Sequence, residues 1–313
     1  MGQFCVPSSI RGKQQMFTNK KRISVLGVAS DLGANMAGTR LGPDAIRIAG
    51  LHRVLKGLNY DIEDLGNLTV PLRSFGTDGV TNYLKEITDL NKSIYESCSS
   101  SLQKGNIPLT LGGDHSIAIG TVAASANHYK NLGLIWIDTH ADLNNPNSSL
   151  TKNIHGMPVS TLLHQGYPSL VALVKRQLLP ENIAIIGLRD IDKEERIILS
   201  QSKINYYTMR EVDERGIQGV FKDVKSKLID KLDHVHISFD LDVMDPTQVP
   251  GVSTPVDGGL TIREAHLLLE LLFETQKMVS CDFVELNPMS DIQGKSAQTA
   301  VNLIGSIFGT SII

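Results

Sequence analysis

The stretch Leu134-Ile135-Trp136-Ile137-Asp138-Thr139-His140-Ala141-Asp142 starts as an apolar run and ends in two acids and an imidazole. Its apolar half reads as a strand. Side chains along a strand alternate faces, so Asp138, His140 and Asp142 point the same way for as long as the extended geometry persists. Working outward, short β-branched runs alternate with longer amphipathic segments from residue 22 onward, the pattern of βα units around a parallel sheet. The predicted strands are Arg22 to Val28, Asp61 to Leu65, Ile107 to Leu111, Leu132 to Thr139, Asn182 to Leu188, Ile204 to Thr208, His234 to Asp242 and Val279 to Leu286. Gly42-Pro43-Asp44 places a proline at a helix start, and Thr261 opens an apolar-periodic segment through Leu272. No linker or composition shift divides these units, so a single domain over 21–313 behind a flexible tail, 1–20, is expected. Eight such units can close into a barrel or lie open as a doubly wound sheet, and periodicity does not separate the two. Both place ligands at the carboxyl ends of the strands.

Two more strand ends carry the same residue types. In Ser238-Phe239-Asp240-Leu241-Asp242 the aspartates share one face while Phe239, Leu241 and Val243 share the other, and Gly112-Gly113-Asp114-His115 allows close backbone approach before a histidine. A lone Asp-x-Asp after a strand is more often a turn or a cap. Three clusters at three strand ends say more. His115, Asp138, His140, Asp142, Asp240 and Asp242 offer carboxylates and imidazoles with no thiolate, a donor set suited to Mn²⁺ or a similar cation rather than structural zinc. Buried together, such acids need a counter-charge. The six exceed what one ion needs, whereas two ions sharing carboxylates would use them all and activate a bridging water.

Composition narrows the classes. With 30 Lys+Arg against 33 Asp+Glu the net charge is −3, and 41% of residues are hydrophobic, which excludes disordered and polycationic chains and argues against nucleic-acid binding. Only Cys5, Cys98 and Cys281 occur, without a C-x-x-C pair, so a reducing, cytoplasmic setting is expected and a disulfide framework is not. No run of about 18 apolar residues predicts a membrane span. The first 30 residues lack acids but carry Arg11, Lys13, Lys20, Lys21 and Arg22, a faint likeness to a mitochondrial transit peptide that lacks a clear amphipathic stripe. A myristoylation pattern starting at Gly2 fails at Val6.

Among the other histidines, His52, His128, His164 and His266 fall on helical patterns, and His234 and His236 sit at the far end of the seventh strand, so all six read as surface or packing residues. His155, in Asn153-Ile154-His155-Gly156-Met157-Pro158, follows the acidic cluster and titrates near neutrality, as a proton carrier must. The fifth strand ends in Gly187-Leu188-Arg189-Asp190-Ile191-Asp192 with Glu195 one turn later, and the eighth in Val284-Glu285-Leu286-Asn287-Pro288. Asp192 also reads as a helix N-cap. Acids beyond those a metal pair requires imply a cationic substrate, guanidinium or ammonium.

Gly112-Gly113-Asp114-His115-Ser116, Asp138-Thr139-His140-Ala141-Asp142 and Ser238-Phe239-Asp240-Leu241-Asp242-Val243-Met244-Asp245-Pro246 together resemble the three signatures of the ureohydrolases, and within them the chain is similar to the arginases from about residue 22 onward. The resemblance implies a three-layer αβα fold with an eight-stranded, mainly parallel sheet. It implies two Mn²⁺ per subunit, replaceable by Co²⁺ or Ni²⁺: one on His115, Asp138, Asp142 and Asp240, the other on Asp138, His140, Asp240 and Asp242. A bridging hydroxide would attack the guanidinium carbon of L-arginine to give ornithine and urea, with Asp142 passing a proton to the leaving amine, His155 shuttling protons and Glu285 gripping the guanidinium beside Thr254. Asn144, Ser149, Thr151 and the segment Asn153 to Pro158 match the loop that binds the α-carboxylate, and Asp192 and Glu195 match the acids that bind the α-ammonium. Agmatine, the alternative substrate, lacks that carboxylate. Thr139 and the pair Thr151-Lys152 depart from the usual small residue, Ser and Gly. Trimers or pairs of trimers are the family's assemblies, and Arg263-Glu264 match an inter-subunit pair.

Overall fold

The apolar runs that alternate with amphipathic segments form β1 (Ile23–Val28), β2 (Ile62–Leu68), β3 (Ile107–Leu111), β4 (Gly133–Ile137), β5 (Ile183–Leu188), β6 (Asn205–Thr208), β7 (Val235–Asp240) and β8 (Met278–Val284). The structure, a computed structural model, describes residues 22–73 and 83–311. The expected N-terminal tail and Cys5 lie outside them. The helices are α1 (Gly42–Ile48), α2 (Leu51–Gly57), α3 (Leu84–Gln103), α4 (Ala118–His128), α5 (Pro158–Leu162), α6 (Pro168–Val171), α7 (Lys193–Gln201), α8 (Met209–Lys227), α9 (Ile262–Glu274) and α10 (Lys295–Ile307). Their starts follow local chemistry. Pro43 opens α1, and Thr261 caps α9 through a reciprocal pair with Glu264, so this glutamate is held by its own helix.

All strands pair in parallel, in the order β2-β1-β3-β8-β7-β4-β5-β6. The sheet is open, which settles the choice between a barrel and a layered sandwich. Ile135, Ile137, Phe239 and Phe283 face α8, α9 and α10 in one apolar layer. Leu134, Trp136 and Ile185 face α4, α5 and α7 in the other, and Leu26 and Val28 pack on α3. Helices on both sides make three layers, as expected.

Strand order positions the site. β3 and β4 are consecutive in sequence but lie apart in the sheet, with β8 and β7 between them. The carboxyl ends of β3, β8, β7 and β4 are therefore neighbours, at the crevice where open α/β sheets bind ligands. Among the described residues no helix is long and apolar enough to cross a membrane.

Gly113 lets β3 turn within this packed centre. Its N–H donates to the Val28 carbonyl at 2.9 Å, and a Cβ there would meet Ser30 O at 2.2 Å and Val28 O at 2.8 Å. Both obstacles are backbone and cannot rotate away. Gly113→Ala is expected to cost about 1–3 kcal/mol, the usual range for overpacking. The loss would appear as a lower denaturation midpoint at unchanged m-value; an unchanged midpoint would show that β1 and β3 can separate freely.

Candidate metal centre and substrate pocket

Three strand ends bend in the same way. Asp114 Oδ1 accepts from Ser116 N at 3.1 Å, Asp138 Oδ1 from His140 N at 2.7 Å, and Asp240 Oδ1 from Asp242 N at 2.7 Å. Each is an aspartate closing a turn on the residue two further on. The extended geometry that would align Asp138, His140 and Asp142 by alternation therefore does not persist. β4 stops at Ile137, β7 stops at Asp240, and Asp242 lies in a 3-10 turn over Leu241–Val243. Asp142 has φ 51°, in the left-handed region that costs a non-glycine residue about 1–3 kcal/mol. The acids still converge, through these turns.

His115 Nδ1 lies 3.1 Å from Asp138 Oδ2, 3.0 Å from Asp240 Oδ2 and 3.3 Å from Asp142 Oδ2. His140 Nδ1 lies 3.1 Å from Asp242 Oδ2 and 3.5 Å from Asp138 Oδ1. Asp138 thus presents one oxygen to each imidazole. Two groups with metal-ligand spacing follow, His115 with Asp138 and Asp240, and Asp138 with His140 and Asp242. His115 Nε2 sits 2.9 Å from Ser238 Oγ. Donation there leaves Nδ1 a bare lone pair, and among the described residues that buried atom has no hydrogen-bond partner. A lone pair ringed by carboxylates fits a cation. Trp136 stacks on the His115 ring at 4.0 Å and donates to Asp138 Oδ2 at 2.9 Å, holding both ligands in place.

Protons stand in when no cation neutralises these groups. Burial and the charge of Asp138 push the Asp142 carboxyl well up, and burial with Asp242 and Asp138 does the same to Asp240. Burial works to raise Asp138 too, but the neighbouring imidazoles of His115 and His140, when charged, hold it below the usual carboxylate range. Burial opposes charge on His115 and His140, and the surrounding acids outweigh it and raise both. A bound cation must displace these protons, so affinity rises with pH.

Glu285 lies against this cluster. It is 1% exposed and has φ 62°. Its Oε1 accepts from His115 N at 2.8 Å and lies 3.2 Å from His155 Nδ1. Among the described residues, its Oε2 is buried without a partner. Burial alone would lower the His155 pKa, but contact with Glu285 raises it.

The open side of the cleft is lined by His140, Asp142, Asn144, His155, Asp190, Asp192, Glu195 and Thr254. Thr254 Oγ1 donates to Asp242 Oδ2 at 2.8 Å. Asp192 caps α7 in a reciprocal pair with Glu195, so the cap reading holds, and the same two acids also reach the loop after β4. Asn144 Nδ2 donates to Asp192 Oδ2 at 2.7 Å and Leu143 N to Glu195 Oε1 at 3.0 Å. Ser149 and Thr151 lie within the loop rather than on the cleft lining. Lys152 N donates to Ser149 Oγ at 3.0 Å and Asn153 N to Thr151 Oγ1 at 3.3 Å. Lys152 has φ 59°, a backbone conformation that favours glycine, and its Nζ donates to Pro146 O at 2.8 Å.

Sequence reasoning passed over Trp136, Ser238 and Asp190. Trp136 and Ser238 precede Asp138 and Asp240 by two residues on their strands, so face alternation was the signal that could have found them. Asp190 lies 3.7 Å from His140 Nε2. His236 is structural: it is fully buried, with Nε2 3.0 Å from Asp282 and Nδ1 3.1 Å from Ser125.

The Arginase family model matches residues 21–309. The arginase of Bacillus caldovelox is 43% identical over 299 residues, covering 94% of this chain and all of that protein. The arginase of Staphylococcus aureus strain MRSA252 is 43% identical over 302 residues, covering 95% of this chain and all of that one. The native structure of the Bacillus caldovelox arginase superposes with a TM-score of 0.90 at 42% identity, covering 94% of this chain and all of that one. Agreement in sequence, fold and extent leaves one assignment: the chain belongs to the arginase family.

Proposed function

We propose that the protein is an arginase, hydrolysing L-arginine to L-ornithine and urea with two Mn²⁺ per subunit. The observation that carries this reading is Asp138, whose two oxygens each face a different imidazole, so that two cations could share it. Asp138 and Asp240 would be shared between the ions, with His115 and Asp142 completing one position and His140 and Asp242 the other; Co²⁺ or Ni²⁺ would suit the same donors. When bound, such ions would lower the pKa of a water held at this site, so that it could act as a nucleophile near neutral pH.

The chain supplies the rest. Glu285 holds the guanidinium with its free buried oxygen, a charge-assisted pairing. Asp142 takes the proton from the attacking water and gives it to the leaving amine, and His155 returns protons between the cleft and solvent. Thr254 lines the pocket beside Asp242. Asp192 and Glu195 bind the α-ammonium; Asn144, Ser149 and Thr151 belong to the loop that receives the α-carboxylate. That loop favours arginine over agmatine, which has no carboxylate to place there. We read residues 21–313 as one catalytic domain, cytoplasmic in keeping with its cysteine usage, and assembled as a trimer or a pair of trimers that light scattering would size.

Urea release from arginine and agmatine, assayed in parallel with Mn²⁺, should favour arginine; preference for agmatine would overturn the substrate assignment. Asp142→Asn should lower urea formation about 10²–10⁴-fold, the usual contribution of a positioned proton-transfer group, and near-normal turnover would remove Asp142 from that role. Chelation should lower the melting temperature, because at 100-fold excess over Kd a ligand contributes about 2.7 kcal/mol. The drop should be larger at pH 8 than at pH 6.

Glu195 sets a second pH dependence. Burial, with Asp192 adding, pushes its carboxyl from 4.5 to about 7. The folded protein therefore holds this proton between those values, and its contribution to stability is present at low pH and lost as pH rises through about 7. Binding runs the other way, since only the ionised acid attracts an α-ammonium. The KM for arginine should fall as Glu195 ionises, at lower pH in the Mn²⁺-loaded protein because nearby cations favour the carboxylate, and Glu195→Gln should lose that fall; an identical profile in the variant would exclude Glu195 from substrate binding.

A further inference from the structure

Arg189, at the end of β5, takes no part in the chemistry above, yet every hydrogen bond of its guanidinium ends on a main-chain carbonyl. Nη2 donates to Val256 O at 2.7 Å, Asp242 O at 2.9 Å and Met244 O at 3.3 Å. Nη1 donates to Val243 O at 3.0 Å and Nε to Val256 O at 3.2 Å. The Arg189 main-chain N–H donates to Thr139 O at 3.1 Å, and Thr139 Oγ1 donates to Asp242 O at 2.7 Å. The guanidinium thus joins the turn carrying Asp242 to the loop carrying Thr254, and the Arg189 main chain ties both to the segment after β4.

We infer that Arg189, with Thr139, is a positioning residue for one of the two cation sites, the group of Asp138, His140 and Asp242. Asp138 is common to both groups and is held by Trp136, whereas the other group's own ligands hang from different supports: Ser238 and Trp136 hold His115, and Asp240 is fixed in the β7 ladder. Lysine is no substitute, since an ammonium on a flexible stem cannot span these carbonyls as a rigid fork does.

Charge and geometry predict opposite signs. As a nearby positive charge, Arg189 repels a bound cation, so an effect through charge alone would make its removal tighten metal binding. As a clamp, its removal loosens Asp242 and weakens binding. The inference rests on the two-ion reading, and calorimetric titration of Mn²⁺ into the metal-free full chain tests both. Asp242→Asn identifies the binding step that belongs to this group. Arg189→Met should weaken that step about 10–100-fold, the range seen when partners of metal ligands are lost, while the other step changes little. Arg189→Lys should restore little of the loss, and Thr139→Ala should weaken the same step by a smaller factor. Tighter or unchanged binding in Arg189→Met, or equal weakening of both steps, overturns the inference. Melting of the metal-free forms reports folding; if Arg189→Met does not fold, Thr139→Ala decides, and an unchanged step overturns the inference. Wild-type protein that takes up fewer than two ions removes the two-ion reading and the inference with it, whereas two ions indifferent to both substitutions sink the inference alone.

Discussion

Mutual repulsion among buried carboxylates is the constraint around which the centre of this molecule is arranged. Asp138, Asp142, Asp240 and Asp242 are each 5% exposed or less, and their charges would drive them apart or into protonation. Neutral donors hold three of them in place. Asp138 accepts from His140 N and Trp136, Asp240 from Asp242 N, and Asp242 from Thr139 N and Thr254. These donors fix direction without supplying a full positive charge, so the need for cations remains.

Much of the fold was legible because its signals are local. The eight strands, the proline at α1 and the Thr261 cap each rest on residues within a turn of one another. Closure into a barrel or an open sheet was not legible from periodicity, because it depends on β7 and β8 entering between β3 and β4, a pairing between distant parts of the chain. Resemblance of the three motifs supplied what periodicity lacked.

At the site, residue types were read more reliably than conformation. Alternation along an extended strand suggested that Asp138, His140 and Asp142 converge, yet the chain leaves the strand at Ile137. The cause lies in the same aspartates: a side chain able to hold a cation can also bind the N–H two residues on, so turn and ligand are one residue. Trp136 looked like core and is core, while its indole N–H serves Asp138. Arg189 left no trace in the pattern, since its partners are main-chain carbonyls that any residue provides.

The order of strands in the sheet bears on how the chain is made. A chain leaving the ribosome presents β1 to β6 first, and those strands cannot form the finished sheet, because the place between β3 and β4 belongs to β8 and β7. The last quarter of the chain, from Val235 onward, must arrive before the centre closes, bringing Asp240, Asp242 and Glu285 with it. A chain that stops before β7 therefore lacks both a continuous sheet and the acids that complete the candidate cation site.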